Sequence, residues 1–65
     1  MFKKEYEYQG MVQFDENYEP CICGISVRWL DYVSVKEYSE KKAIEKACNI
    51  LNKRYPEYKG MVQLW

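Results

Sequence analysis

The chain of 65 residues contains no histidine, which removes the most common general base and the most common metal ligand. Every Ser-His or Cys-His arrangement for nucleophilic catalysis is excluded with it. The glycine motifs that bind phosphates or dinucleotides are also missing, and only three glycines occur in the whole chain. We therefore expect a protein that is not an enzyme and that binds no cofactor.

The chain also lacks an excess of charge of either sign, because ten basic and ten acidic residues cancel. A neutral chain does not favour nucleic acid or an anionic membrane as a partner. No apolar run approaches the roughly 20 residues of a membrane-spanning helix. The first residues alternate in polarity and do not form the apolar core of a secretion signal. We expect a cytoplasmic protein that does not enter a membrane.

Disulfide frameworks of small secreted proteins normally use an even number of cysteines, whereas this chain has three: Cys21, Cys23 and Cys48. Cys21 and Cys23 share a predicted strand face, and Cys48 faces that sheet from the predicted helix, so the three thiols could converge. Three thiolates lack a fourth zinc ligand, and Cys-x-Cys is not the usual spacing of a zinc knuckle. We predict three small buried apolar side chains and no metal site.

Eleven aromatic residues, seven of them tyrosines, are the main feature of the composition. Such side chains supply a large buried area, which a single domain of residues 1–65 needs because it lies near the lower size limit for a core. Polarity alternates with period two over residues 2–14, which predicts a strand with one buried face. Gly10 interrupts the apolar row and predicts a bulge or a close approach of the backbone.

A second alternation starts at Cys21 and places Ile25, Val27 and Trp29 on one face, together with Val35. The residues 21–37 fit either two strands with a turn near residues 30–32 or one long bent strand. We favour the turn, because a strand of about 17 residues would be unusually long.

Ser39 precedes the one helical pattern and is suited to cap it, and Pro56 ends the helix. A last strand is expected over residues 58–65. The predicted fold is α+β, with the order β-β-β-α-β and a small antiparallel sheet that has one helix packed on one face. The apolar stripe of the helix consists of Ala43, Ile44, Ala47, Cys48 and Leu51.

Residues 7–14 and 57–64 match at six of eight positions, as EYQGMVQF and EYKGMVQL. Two copies are too few for a repeat array, so we interpret them as two strands in similar surroundings, with Tyr and Val facing the helix and Met and Gln facing away. An apolar face that no helix covers is typical of a protein partner site or of self-association. The residues predicted to form this site are Met11, Gln13, Met61, Gln63 and Trp65, with Ile22 and Leu30 beside them.

Segment 39–54 carries five basic and two acidic residues. The pattern of Ser39, Lys41, Lys42, Ala43 and Ala47 resembles the second half of a double-stranded-RNA-binding domain, in which a Lys-Lys pair at the helix start meets phosphates. This resemblance implies nucleic-acid contacts through Lys41, Lys42 and Lys46. We favour instead a solvated helix face with charge pairs, because the first helix of that domain is absent and the net charge is zero.

Residues 39–51 also resemble the helix of the partial RNase-H-like domain of HicB-type antitoxins, a domain with the same β-β-β-α-β order. Our hypothesis is a small non-enzymatic protein-binding module that occupies a partner's surface, such as an inhibitor or antitoxin from a phage or mobile element. Two alternatives stay open: a nucleic-acid-binding module that uses helix 39–54, and a structural homo-oligomer joined through the sheet.

Overall fold

The computed structural model describes residues 2–65 and has the predicted α+β class and the order β-β-β-α-β. Strand β1 is central: β3 pairs antiparallel with one of its edges, and β2 and β4 pair antiparallel with the other. The elements are β1 (Lys4–Phe14), β2 (Pro20–Cys21), β3 (Ser26–Glu37), helix α1 (Glu40–Arg54), a 3-10 helix (Pro56–Tyr58) and β4 (Gln63–Leu64).

Strands β1 and β3 form a long ribbon with a β-bulge at Gly10, where Leu30 and Asp31 together oppose this one glycine. A Cβ atom at Gly10 would lie 2.7 Å from Cδ1 of Leu51 on α1 and 3.3 Å from Cβ of Leu30. The prediction of a bulge or a close approach at Gly10 is confirmed, because both occur there. The flanking pairs are Gln9 with Tyr32 and Met11 with Trp29.

The turn predicted near residues 30–32 is wrong, and the alternative of one long strand is correct for residues 26–37. The bulge accommodates the polar Asp31 without ending the strand. The interruption lies earlier, at residues 22–25, after a second strand of only two residues. There a Cβ at Gly24 would collide with the Phe14 carbonyl, so only glycine allows the loop to approach β1 so closely.

Because of the bulge, the predicted faces of β3 are wrong for the residues that precede it. Val33 and Val35 are buried against the helix, whereas Val27 and Trp29, which were predicted to share a face with Val35, lie on the opposite face of the sheet. The extra residue in the bulge reverses the alternation for every position before it. Leu30, which was expected on the uncovered face, is buried in the core for the same reason.

Helix α1 begins and ends where the sequence predicts. The Ser39 Oγ accepts a hydrogen bond from the backbone N–H of Lys42 at 3.3 Å, and the helix ends at Arg54, before Pro56. Among residues 2–65, no helix has the length and apolar character of a membrane span. The core joins the buried stripe of α1 to the covered face of the sheet through Val12, Leu30, Val33, Val35, Ala43, Ala47 and Leu51.

The last strand is shorter than predicted, because residues 56–61 form the 3-10 helix and a turn with Gly60 at φ +84°. The two matched segments are therefore not equivalent strands: the first lies within β1, and most of the second precedes β4. Backbone pairing continues past β4, since the Trp65 N–H donates to the Gln9 carbonyl at 2.9 Å. Tyr58, Val62 and Leu64 pack against the core as expected.

Candidate functional site

One face of the sheet is covered by α1, and the other, which we call the open face, has no helix on it. Its centre is an aromatic patch that we define as Val27, Trp29, Tyr32 and Trp65. The first three share the open face because they pair with Gln13, Met11 and Gln9 across β1. Val27 is 46% exposed, Trp29 50%, Tyr32 70% and Trp65 78%.

The two tryptophans contact each other across β1. Their ring centroids are 6.2 Å apart at an interplanar angle of 77°, although Trp29 lies on β3 and Trp65 follows β4 on the other side of β1. Met11, which lies between these strands on β1, is only 8% exposed. Edge-to-face aromatic pairs of this kind contribute about 0.5–1.5 kcal/mol beyond area burial. The two tryptophans of the patch therefore support each other.

The three aromatic residues of the patch expose a considerable apolar area. At roughly 200 Å² for a whole aromatic side chain, their exposed fractions correspond to about 400 Å². The largest apolar patch of a typical monomer is about 300–600 Å² and is often functional. Ile22 and Ile25 in the neighbouring loop are also exposed and add to this area.

Two of the predicted partner-binding residues hold this loop against the sheet. The Gln13 Oε1 accepts a hydrogen bond from the Gly24 N–H at 3.0 Å, and the Gln63 Nε2 donates to the Ile22 carbonyl at 2.7 Å. Both amides are thus engaged within the protein, and they position Ile22 and Ile25 beside the patch. Their role in the structure is to support the surface.

Of the five predicted partner-binding residues, the structure brings Met11, Gln13, Gln63 and Trp65 together on the open face. Met61 is not among them, because it packs against the core. Sequence reasoning missed Val27, Trp29 and Tyr32, which form most of the patch. The polar Asp31 inside an apolar row was the signal of the bulge that brings Trp29 and Tyr32 to the same face.

The end of the open face beyond the patch is charged. Glu5 and Glu7 lie there on β1, and Glu5 pairs with Lys36 across the ribbon. The Ser34 hydroxyl donates a hydrogen bond to the Glu5 Oε1 at 2.8 Å. This end of the open face therefore carries charges of both signs and is not a basic surface of the kind that binds a phosphate backbone.

The basic helix residues Lys41, Lys42 and Lys46 are all exposed. Two ion pairs link α1 to β3: the Nζ of Lys46 lies 3.7 Å from Glu37, and Arg54 lies 3.6 Å from Asp31. The surface around Lys42 and Lys46 also includes the acidic Glu45. The helix surface thus carries charges of both signs, as the favoured interpretation of segment 39–54 expects.

The prediction of three buried thiols is wrong. Cys23 is exposed, and Cys21 and Cys48 are only partly buried; all three are free. Burial raises the pKa of the Cys48 thiol above its usual value. Within residues 2–65, no three Cys, Asp or Glu side chains lie close enough together to hold a metal ion.

Two tyrosines on the covered side have perturbed acidity. The Tyr8 hydroxyl is buried without a hydrogen-bond partner, and burial followed by the nearby Glu40 charge raises its pKa. Burial also raises the pKa of Tyr55, and a hydrogen bond to Asp31 adds to this effect. Both hydroxyls therefore stay protonated at neutral pH, and both side chains pack against the core.

Comparison with known proteins adds no relative: no protein-family model matches the chain, and no curated protein or solved structure matches it significantly.

Proposed function

We propose that this protein is a small non-enzymatic binding module that acts by occupying the surface of a partner protein. The observation that carries the proposal is the aromatic patch on the open face. Trp and Tyr are enriched at the centres of protein interfaces and commonly carry a large share of the binding energy. Inhibitors and antitoxins of phages or mobile elements act by this kind of surface occupation, and the proposal includes a cytoplasmic location for this protein with its three free cysteines.

The patch is suited to binding because its two tryptophans are already in contact with each other. Trp29 and Trp65 contact each other, and Met11 supports them from below. Binding costs free energy when mobile side chains must be immobilised, and aromatic rings have only two side-chain torsions to fix. A patch whose rings are held in place before contact loses less entropy on association.

The charge distribution favours a protein partner over the alternative of nucleic acid. The charged end of the open face opposes Glu5 to Lys36, and ion pairs engage Lys46 and Arg54 of the helix, so neither surface is uniformly basic. Neutralising phosphates with lysines gives an affinity that falls steeply with salt. We expect association of this protein to change little with salt, because its contact is mainly apolar.

The test compares tryptophan variants with a matched aromatic control. Trp29→Ala and Trp65→Ala should each weaken partner binding by about 2 kcal/mol or more, which is roughly 30-fold in Kd. Tyr38→Ala removes an exposed aromatic ring outside the patch and should leave Kd unchanged. The partner is purified from the native host with the wild-type protein, and Kd is then measured by calorimetric titration.

A different pattern of results would reject the proposal. Unchanged Kd in both tryptophan variants, together with loss of binding in Lys41→Glu/Lys42→Glu, would reject the aromatic patch and support the basic helix. Circular dichroism of each variant separates a lost contact from a lost fold.

A further inference from the structure

Strand β3 has a long unpaired edge. It is the last strand of the sheet, and within residues 2–65 only β1 pairs with it. Its 12 residues are about twice the usual length of a strand. An edge strand presents a row of free N–H and C=O groups that can pair with a further strand.

The pairing of Gln9 shows which backbone groups of β3 face this edge. The Gln9 carbonyl and N–H bond to Trp65 at 2.9 and 3.4 Å, so they point away from β3. Gln9 is paired with Tyr32, and in such a pair the N–H and C=O of both residues point outward. Alternation gives Ser34 and Lys36 the same orientation. The N–H and C=O groups of these three residues therefore face the free edge.

The helix leaves this edge open. Helix α1 packs mainly on β3 and also contacts β1 and β4, so it covers one face of the sheet and does not pair with the free edge of β3. The side chains of Tyr32, Ser34 and Lys36 are exposed on the open face. Within residues 2–65, no strand occupies this edge.

We propose that two copies of this protein associate by antiparallel pairing of β3 with β3, centred on Ser34, to form one continuous sheet. In this register Ser34 faces its own copy, Tyr32 faces the partner's Lys36, and Val33 faces the partner's Val35. All the outward N–H and C=O groups of residues 32, 34 and 36 then find partners. The interface is isologous, as in most dimers.

The side chains favour this register over its neighbours. A Lys ammonium beside a Tyr ring is attractive, and a pair of β-branched residues packs well across strands. Centring on Val35 would oppose Val33 with the partner's Glu37, and centring on Lys36 would oppose two lysines, which is unfavourable. The pairing of two copies through Ser34 avoids both conflicts.

The inference goes beyond the proposed function, because pairing at the edge uses the outward backbone groups of β3, and of the patch residues only Tyr32 takes part in it. A two-fold axis through Ser34 and normal to the sheet keeps both open faces on the same side. The dimer would then present two aromatic patches together, which raises the apparent affinity for a partner with two contact sites.

The test is the pair of variants Ser34→Pro and Ser34→Ala, measured by sedimentation velocity over a wide range of concentrations. Both lose the hydrogen bond to Glu5, but only proline removes the outward N–H. Proline is tolerated in an edge strand where its missing N–H would face solvent. Wild type and Ser34→Ala should dimerise, and Ser34→Pro should raise the dimer dissociation constant at least tenfold.

A second measurement keeps the test decisive if Ser34→Pro does not fold. In the wild-type dimer, the amide hydrogens of Ser34 and Lys36 should exchange slowly, and dilution to monomer should make them exchange fast. A protein that stays monomeric, a dimer that Ser34→Pro leaves intact, or fast exchange of both amides in the dimer would overturn the proposal. A dimer lost in Trp65→Ala and kept in Ser34→Pro would place the contact on the open face instead. None of these results depends on whether the aromatic patch binds a partner protein.

Discussion

The contact between Gly10 and Leu51 allows a quantitative prediction for Gly10→Ala. The new methyl carbon would lie 2.7 Å from one Cδ atom of Leu51 and 3.3 Å from the other. Carbon atoms attract each other best at about 3.5–4.0 Å. Leu51 is fully buried, so its side chain cannot move into solvent. The helix or the bulge must shift to admit the methyl group.

The net effect follows from two opposing contributions. Forcing an extra carbon into a packed core costs about 1–3 kcal/mol. Alanine restricts the unfolded chain more than glycine does, which returns about 0.4–1 kcal/mol. We expect Gly10→Ala to lower the free energy of unfolding by about 1–2 kcal/mol. For a domain of this size, Tm falls by about 4–8 °C per kcal/mol.

Urea and thermal unfolding of Gly10→Ala, Leu51→Ala and the double variant measure this contact directly. Leu51→Ala alone should cost about 2–5 kcal/mol because it leaves a cavity. In the double variant the new methyl has room, so the combined loss should be smaller than the sum by about 1 kcal/mol or more. Additive losses, or a stabilising Gly10→Ala, would refute the close approach. Gly60→Ala is the control: it meets no atom within 4 Å, and the strain at its φ of +84° should not respond to Leu51→Ala.

Two further predictions concern titratable groups. Burial and the bond to Asp31 raise the pKa of Tyr55 above the unfolded value of about 10, so stability should hold below pH 10 and decline as pH rises through the folded pKa. The decline is measured as the fall of the urea unfolding midpoint with rising pH, and Tyr55→Phe should make this fall smaller. The same fall in Tyr55→Phe and in the wild type would contradict the raised pKa of Tyr55. An aromatic disulfide reagent should modify the exposed Cys23 before Cys48, whose thiolate is disfavoured by burial. Equal rates of thiol modification in the variants Cys23→Ser and Cys48→Ser would contradict this order.

The helix shows how much local sequence can predict. Its start at Ser39 and its end before Pro56 agree with the structure. Of the predicted stripe, Ala43, Ala47 and Leu51 are buried, whereas Cys48 is only partly buried and Ile44 is exposed. Capping, proline geometry and a period of 3.6 residues act within a few positions of the chain. The alternation that predicts β1 is equally local, and so the element order was also predicted correctly.

The bulge shows where local reasoning stops. Opposite Gly10, β3 places Leu30 and Asp31 where a regular pairing would place one residue. At the same position Gly10 lies close to Leu51, which comes from a helix that is distant in the sequence. A period-two pattern in the sequence does not show where such an extra residue lies. One extra residue reverses the faces of all the positions of β3 that precede it.

The sequence by itself determined the α+β class, the order of elements, the helix and the partly correct set of outward residues on β1 and β4. Only the tertiary structure decided that Trp29 and Tyr32 share a face with Trp65, that Met61 belongs to the core and that β3 is an unpaired edge. The physical reason is that helix and strand signals act between near neighbours. The faces of a bulged strand and the free edge of a sheet are set by contacts between residues far apart in the chain.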